Sequence, residues 1–574
     1  MNGTETRMKG SSRGATSRGA LARFWLVLAF AAIGFRCASP LHAQEPAPDA
    51  PRNASDAPSD ARADPPPLDL ARVRGYDLTV LAITGEAIGN EKARVSAIRG
   101  FSLNDRGQVA FMTEKSGGGE HLPVDLHISD GRITRLVARQ RAEVPTTGPT
   151  MRWLDGFAQN DGGHLLIRAG RESQTDSEKH LWYWDGVEWS ETSIAEAAIP
   201  ATERGEIWTD FPKSRSNNFV FGDRGHVAVL RRHPSTIFLG DTSAVSVLAD
   251  ARNDPSDPSG DFSSFGTLLG INGRGQILFS AARGRDRYEF TRLFRYDPLA
   301  ESAEQDQPTA NGTFRELARV RGRLRGTSLL LDEDIAHDPS YDAALNDRGQ
   351  VVMRAQVTTS LRTHRYDEET QAILLYDDDQ WTTIAIEGKP ISDHVGVVNS
   401  LSGAALNSAG QAAFLVDAED QDILLPLRYE PDGRFTVMAR LGQNVVPSST
   451  LRYVTNRNTT RQAPFLADSG LILMKAVLAP AEGEDPRRDE LFPTDVALVV
   501  SDGRTLVEVF RLESEVRGQE AVEYQMDDHG FGALPFRDTI CLNRLGQVAF
   551  AVKLRDGRHA LCLCSPRFSS DGGE

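Results

Sequence analysis

The 574-residue chain is short of cysteine, of long apolar runs and of net positive charge. Of its four cysteines, Cys37 lies near the N-terminus, and Cys541, Cys562 and Cys564 fall in the last 34 residues. Those three cannot all pair in a monomer. A bridge from Cys541 to Cys562 or Cys564 and a set of buried thiols both remain open, but a zinc site needs more ligands at suitable spacing. The apolar stretch Phe24–Phe35 is 12 residues, too short for a membrane span of about 20. No later stretch approaches that length, which argues against stable membrane insertion. The net charge is −16; residues 1–43 carry +5, leaving about −21 for the rest. Such a balance disfavours nucleic acid and anionic membrane surfaces as partners and describes a solvated acidic surface. There is no G-x-S-x-G elbow and no H-E-x-x-H pair.

The N-terminal region fits a secretory leader. Arg7, Lys9, Arg13, Arg18 and Arg23 precede the short apolar stretch, and removal after Ala43 gives residues 1–43 as a signal peptide. Residues 44–75 are rich in Pro, Ala and Asp, including Pro65-Pro66-Pro67, and read as a flexible linker.

Against these absences stands one recurring phrase. LNDRGQVAF at Leu103–Phe111 returns as INGRGQILF (Ile271–Phe279), LNDRGQVVM (Leu345–Met353), LNSAGQAAF (Leu406–Phe414) and LNRLGQVAF (Leu542–Phe550). Looser copies are QNDGGHLLI (Gln159–Ile167), FGDRGHVAV (Phe221–Val229) and LADSGLILM (Leu466–Met474), eight in all. Asn opening a four-residue turn and Gly closing it is type I turn chemistry. Asn can close an Asx turn on its own backbone, and Gly supplies the positive φ of a bulged hairpin. The apolar triplet that follows, such as Val109-Ala110-Phe111, reads as a strand buried on both faces.

A second element is a strand that ends in Asp-Gly, as in LHISDGR (Leu126–Arg132) and VVSDGR (Val499–Arg504), a hairpin signal. A third is a strand ending in Ala-x-x-Gly, at Ala82/Gly85, Ala385/Gly388 and Ala439/Gly442. Each repeat thus holds four strands. The turn glycines stand 50 to 76 residues apart, longer than propeller repeats of about 40–50, so the surplus is loop, with Arg283–Asn311 and Pro480–Asp495 as the longest insertions. After His559–Cys564 the last repeat has no fourth strand, while Tyr76–Gly85 is a fourth strand with no repeat before it. Pairing the two closes a ring and removes open edges. The expectation is all-β: an eight-bladed β-propeller of four-stranded blades over residues 76–566, closed by the N-terminal strand joining the last blade, with a disordered tail at 567–574.

The motif Asn-x-x-Gly-x-x-Ala-Phe is met in full at Asn104/Gly107/Ala110/Phe111, Asn407/Gly410/Ala413/Phe414 and Asn543/Gly546/Ala549/Phe550. On it the chain resembles the bacterial exported tandem-repeat NxxGxxAF-containing (choice-of-anchor type) proteins and, more distantly, HAF-repeat proteins. That resemblance implies export and a β-repeat fold and assigns no activity. Members often carry a C-terminal sorting segment; RFSSDGGE has neither apolar helix nor basic tail, so the expected location is periplasmic or extracellular.

No residue set emerges as catalytic, cofactor-binding or metal-binding. Asn104-Asp105, Asn160-Asp161 and Asn346-Asp347 offer one or two oxygens each where calcium needs six to eight, and Asp105 is matched by Gly273, Ser408 and Arg544 in other copies. They read as turns. Asp377-Asp378-Asp379 sits at a hairpin position. Trp182 and Trp184, with Tyr183, Trp153 and Trp189 nearby, read as packing between blades before sugar stacking. The basic stretch Arg319–Arg325 reads as a solvated strand end. No cofactor is expected. The leading reading is a monomeric non-catalytic binding or scaffold protein for a protein or glycan ligand, the alternative a propeller hydrolase of glycans or esters whose carboxylates converge from several blades.

Overall fold

In a computed structural model, the description covers residues 68–569 except 90–91, 117–122, 141–150, 172–178, 195–218, 233–234, 252–261, 285–291, 299–311, 332–342, 360–369, 393–394, 419–423, 448–450, 456–463, 481–495 and 525–539. The expected leader, most of the expected linker and residues 570–574 lie outside it.

Eight four-stranded antiparallel blades follow one another around a ring. Blade 1 runs through Val95–Leu103, Val109–Lys115, Val124–Ser129 and Thr134–Arg139. Blade 2 uses Met151–Gln159, Leu165–Arg171, Lys179–Trp184 and Trp189–Ile194; blade 3 uses Phe219–Phe221, Val227–Arg232, Ser235–Gly240 and Ala244–Asp250. Blade 4 comprises Phe262–Ile271, Ile277–Arg283, Arg292–Pro298 and Gly312–Arg319, and blade 6 Val398–Leu406, Ala412–Ala418, Leu424–Tyr429 and Phe435–Val437. In blades 5, 7 and 8 the inner strand comes in two pieces that pair with the same second strand: Leu330–Leu331 and Ala343–Leu345, Leu451–Thr455 and Phe465–Leu466, Gln519–Tyr524 and Ile540–Leu542. The outer strands of blades 2 and 3 also touch in parallel, Ala244 opposite Ser193 and Val245 opposite Ile194.

The ring closes as the spare strand requires. Val73–Ile83 pairs antiparallel with His559–Phe568, placing Leu78 opposite Cys564 and Val80 opposite Cys562. The strand starts at Val73 rather than Tyr76, because Leu70 and Val73 are buried and anchor the chain before it (0% and 1% exposed). At the other end, the strand continues to Phe568, past the expected start of the tail. The stretch Arg283–Asn311 is not one long insertion: it contains the third strand of blade 4, Arg292–Pro298. Its run of Arg, Asp and Glu hid a strand whose apolar residues, Leu293, Phe294 and Tyr296, are fully buried.

Each second strand is buried on both faces because its alternating side chains enter two different seams. In blade 1, Val109 and Phe111 pack with Ala549, Leu561 and Leu563 of blade 8, whereas Ala110 and Met112 pack with Leu165 and Ile167 of blade 2. The seam with blade 8 also buries charge. Asp125 accepts from Arg139 Nε and Nη2 at 2.9 Å each, and Lys115 Nζ lies 3.5 Å away.

Among the described residues, Cys541, Cys562 and Cys564 form no disulfide. Cys541 joins the cluster facing blade 1 and Cys562 and Cys564 the one facing blade 7, so they point away from each other across the blade 8 sheet. Burial pushes the Cys562 thiol up to about 12 and raises that of Cys564 as well.

Candidate functional site, a carboxylate ring at one mouth of the channel

The phrase that organises the sequence builds one end of the ring. In blade 1, Gly107 takes φ +79°, and its N–H donates to the Asn104 carbonyl at 3.0 Å. Asn104 Oδ1 accepts from the N–H groups of Arg106 and Gln108, the expected Asx turn. The Asn side chains are buried, and their amides reach the next blade: Asn543 Nδ2 donates to Asn104 O, Asn272 to Asn346 O and Asn346 to Asn407 O, each at 2.9 Å.

The next position of the turn does a second job in five blades, where it is Asp. Asp105 Oδ1 accepts from Arg544 N at 2.8 Å, Asp161 from Asp105 N at 3.2 Å and Asp223 from Asp161 N at 2.9 Å. Asp347 accepts from Gly273 N at 2.7 Å and Asp468 from Ser408 N at 2.8 Å. Five aspartates on blades 1, 2, 3, 5 and 7 thus cap the preceding blade's turn. Inner strands encircle the axis of a propeller, so these turns surround one mouth of the central channel.

The carboxylates sense one another around that mouth. Asp161 keeps a solvent-exposed edge at this rim, and partial loss of bulk water pushes it up to about 7, with the charges of Asp223, Asp105 and then Asp468 adding to it. Desolvation also raises Asp105, against the hydrogen bond and charge of Arg544, and raises Asp223, with Asp347 and Asp468 contributing. Desolvation and like charge both disfavour the ionised form. Yet among the described residues no three His, Cys, Asp or Glu side chains stand together as a metal shell.

The sixth position of the phrase carries a role that a reading of turn chemistry passes over. Gln108 lies where a Cβ on Gly163 of blade 2 would be, Gln547 does the same to Gly107, and Gln276, Gln350 and Gln411 cover Gly349, Gly410 and Gly470. The turn glycine is required for close approach as well as for φ. Three of the Gln amides end on carboxylates at the ends of third strands, Gln276 Nε2 donating to Asp297 at 2.6 Å, Gln350 to Asp377 at 2.7 Å and Gln411 to Glu430 at 2.8 Å, while Gln547 donates to Ser565 Oγ at 3.0 Å. From the same strands, Arg295 and Arg428 donate to the carbonyls of Gly349 and Gly470. In blade 2, His164 replaces Gln and its Nδ1 lies 2.9 Å from Tyr183 Oη.

The other singled-out residues fall into structural places. Asp377 and Gln380 flank a two-residue hairpin turn in which Asp378 and Asp379 have positive φ. Asp379 is held by Tyr376 Oη at 3.0 Å and an ion pair with Arg315. Trp182 is buried between blades 1 and 2, with Trp184 and Trp189 against the same cluster; the Trp153 side chain lies outside the description. In Arg319–Arg325, Leu324 is fully buried, and the Arg325 carbonyl accepts from Trp381 N of blade 5 at 2.7 Å.

Residues 69–292 match the model of a family described only as a family of unknown function (DUF7453). No curated protein matches the chain. Among solved structures the chain is similar to the β-propeller domain of the Trilobed protease from Pyrococcus furiosus, at 10% identity over 74% of this chain and 100% of that one, TM-score 0.33. It is also similar to an oligogalacturonate lyase in complex with manganese (12% identity, 82% and 97% covered, TM-score 0.34) and to the C-terminal WD40 domain of Sif2 (9%, 83% and 99%, 0.32).

Proposed function

We propose that the chain is an exported, non-catalytic β-propeller that binds or positions a protein or glycan partner in the periplasm or outside the cell. One observation carries this reading. The Asn, Asp and Gln side chains of the recurring phrase are engaged in hydrogen bonds within and between blades. Polar groups held this way rigidify a frame. The resemblance to exported NxxGxxAF proteins, the basic leader and the acidic remainder support export. The test is a pull-down from envelope extracts and a glycan panel with purified protein, run beside a hydrolase panel. Specific capture without turnover is the expected result; turnover without capture overturns it.

A second reading is favoured by Asp161. A carboxyl held near pH 7 beside coupled carboxylates is the arrangement acid–base hydrolysis uses. A glycan or ester hydrolase working at this mouth would lose its activity in Asp161→Asn while keeping its fold.

A further inference from the structure

The contact between blades 7 and 8 lacks both amides of the phrase. Ala467 stands where six blades have the donating Asn, and Leu471 where five have Gln. The place is filled by the start of the described chain. Leu68 lies over Gly546 of the blade 8 turn, where a Cβ would overlap its Cδ2, as Gln547 lies over Gly107 one blade further on. Leu70 is fully buried in one cluster with Ala467, Leu471 and Leu473 of blade 7 and Val548 and Phe550 of blade 8. The segment between is fixed. Asp69 caps the single 3₁₀ turn Leu70–Arg72 by accepting from Ala71 N at 3.1 Å, and the Arg72 carbonyl accepts from Ser569 N at 3.1 Å.

We propose that Leu68–Arg72 is a strap that locks the blade 7–blade 8 seam in place of the missing amide clasp. The ring is then fully closed only while its N-terminal segment is docked. The strap runs directly into the closing strand Val73–Ile83, so a pull on the chain ahead of Leu68 is delivered first to this seam. Undocking frees the Gly546 turn and the Ala467 turn together, which makes the seam a place where the ring can open without losing any blade.

The test uses the full chain and backbone hydrogen exchange, read at Ala467–Leu473 and Ile540–Phe550 and compared with the opposite seam at Asn272–Phe279. The variant Leu68→Ser/Leu70→Ser should speed exchange at the first two segments roughly ten- to hundredfold, the factor that burial of one leucine side chain corresponds to, and leave the third unchanged. Leu68→Ala alone, at a half-buried position, gives a smaller acceleration in the same places and serves if the double variant does not fold. Installing the phrase with Ala467→Asn/Leu471→Gln should then return exchange toward the original rate in the strap variants. Uniform acceleration over all blades, or no recovery with Asn and Gln in place, overturns the proposal.

Discussion

Six of the eight seams are clasped turn to turn, and two are not. Where Asn or a following Asp is present, backbone and amide bonds run from blade to blade, as from 8 to 1, 4 to 5 and 6 to 7. Blades 3 and 7 have Gly222 and Ala467 instead, and their forward seams, four blades apart, are held by other means. From blade 3 to blade 4, the His226 ring lies against Gly275 of the blade 4 turn, and Phe262, Phe265, Phe279, Phe294 and Tyr296 form an aromatic cluster with Phe314 against it, with ring centroids as close as 5.0 Å. From blade 7 to blade 8, leucines of the N-terminal segment do the work, backed by Phe510, Tyr524 and Phe550. The two solutions are of comparable strength. A net hydrogen bond contributes about 1 kcal/mol, so two or three equal roughly one buried aromatic or leucine side chain at about 1.5–3 kcal/mol.

The largest effects should come from removing what has no substitute. Asp125→Ala at the 8–1 seam removes the buried carboxylate that Arg139 and Lys115 share and should cost about 3–5 kcal/mol; Phe262→Ala at the 3–4 seam should cost about the same through its cavity. Shifts in the urea midpoint check both, and equal losses would show that charged and aromatic seams are equally committed. Next, Gly107→Ala should cost more than Gly433→Ala. Both have positive φ, but Gly107 faces Gln547 and Gly433 has nothing within 4 Å. The strain term alone is about 1–2 kcal/mol. Adding Gln547→Ala should recover the excess in the first case and nothing in the second. Smaller again, Asn346→Ala leaves buried partners unsatisfied and should cost about 1–3 kcal/mol in the same denaturation measurement.

The smallest effect is a pH slope. Asp161 is raised to about 7 in the fold from 3.8. The folded state therefore binds the extra proton between these values, and this contribution, full below pH 3.8, is lost as pH rises through 7. His164 and His226, both lowered by burial, act oppositely: their contribution is present above 6.5 and is lost as pH falls through their folded values. Subtracting the pH profile of Asp161→Asn from that of the parent isolates the first term, which should decline from pH 4 to 7.

The architecture was legible because its signals are local. Asn-x-x-Gly fixes a turn within four residues, and six such turns, two looser copies opening on Gly222 and Ala467, and one spare strand are enough to specify eight blades and their closure. What was not legible depends on residues far apart in sequence. Gln108, Gln276, Gln350, Gln411 and Gln547 stand in plain view, yet each covers a glycine a full repeat further round the ring. The convergence of Asp105, Asp161, Asp223, Asp347 and Asp468 is likewise a product of ring geometry, with Gly273, Ser408 and Arg544 interrupting it in sequence. Leu68 and Leu70 were concealed by the Pro- and Ala-rich composition around them.

The bond from Asn543 to the Asn104 carbonyl spans 439 residues. Closing so long a loop costs little more than closing one half its length, but it cannot happen until almost the whole polypeptide exists. Any copy truncated before His559 keeps Val73–Ile83 as a bare edge with eleven residues of unsatisfied backbone, an invitation to stick to its neighbours. Completeness of synthesis is thereby written into the molecule as a condition of solubility, and unfinished copies should be the ones that aggregate or are degraded.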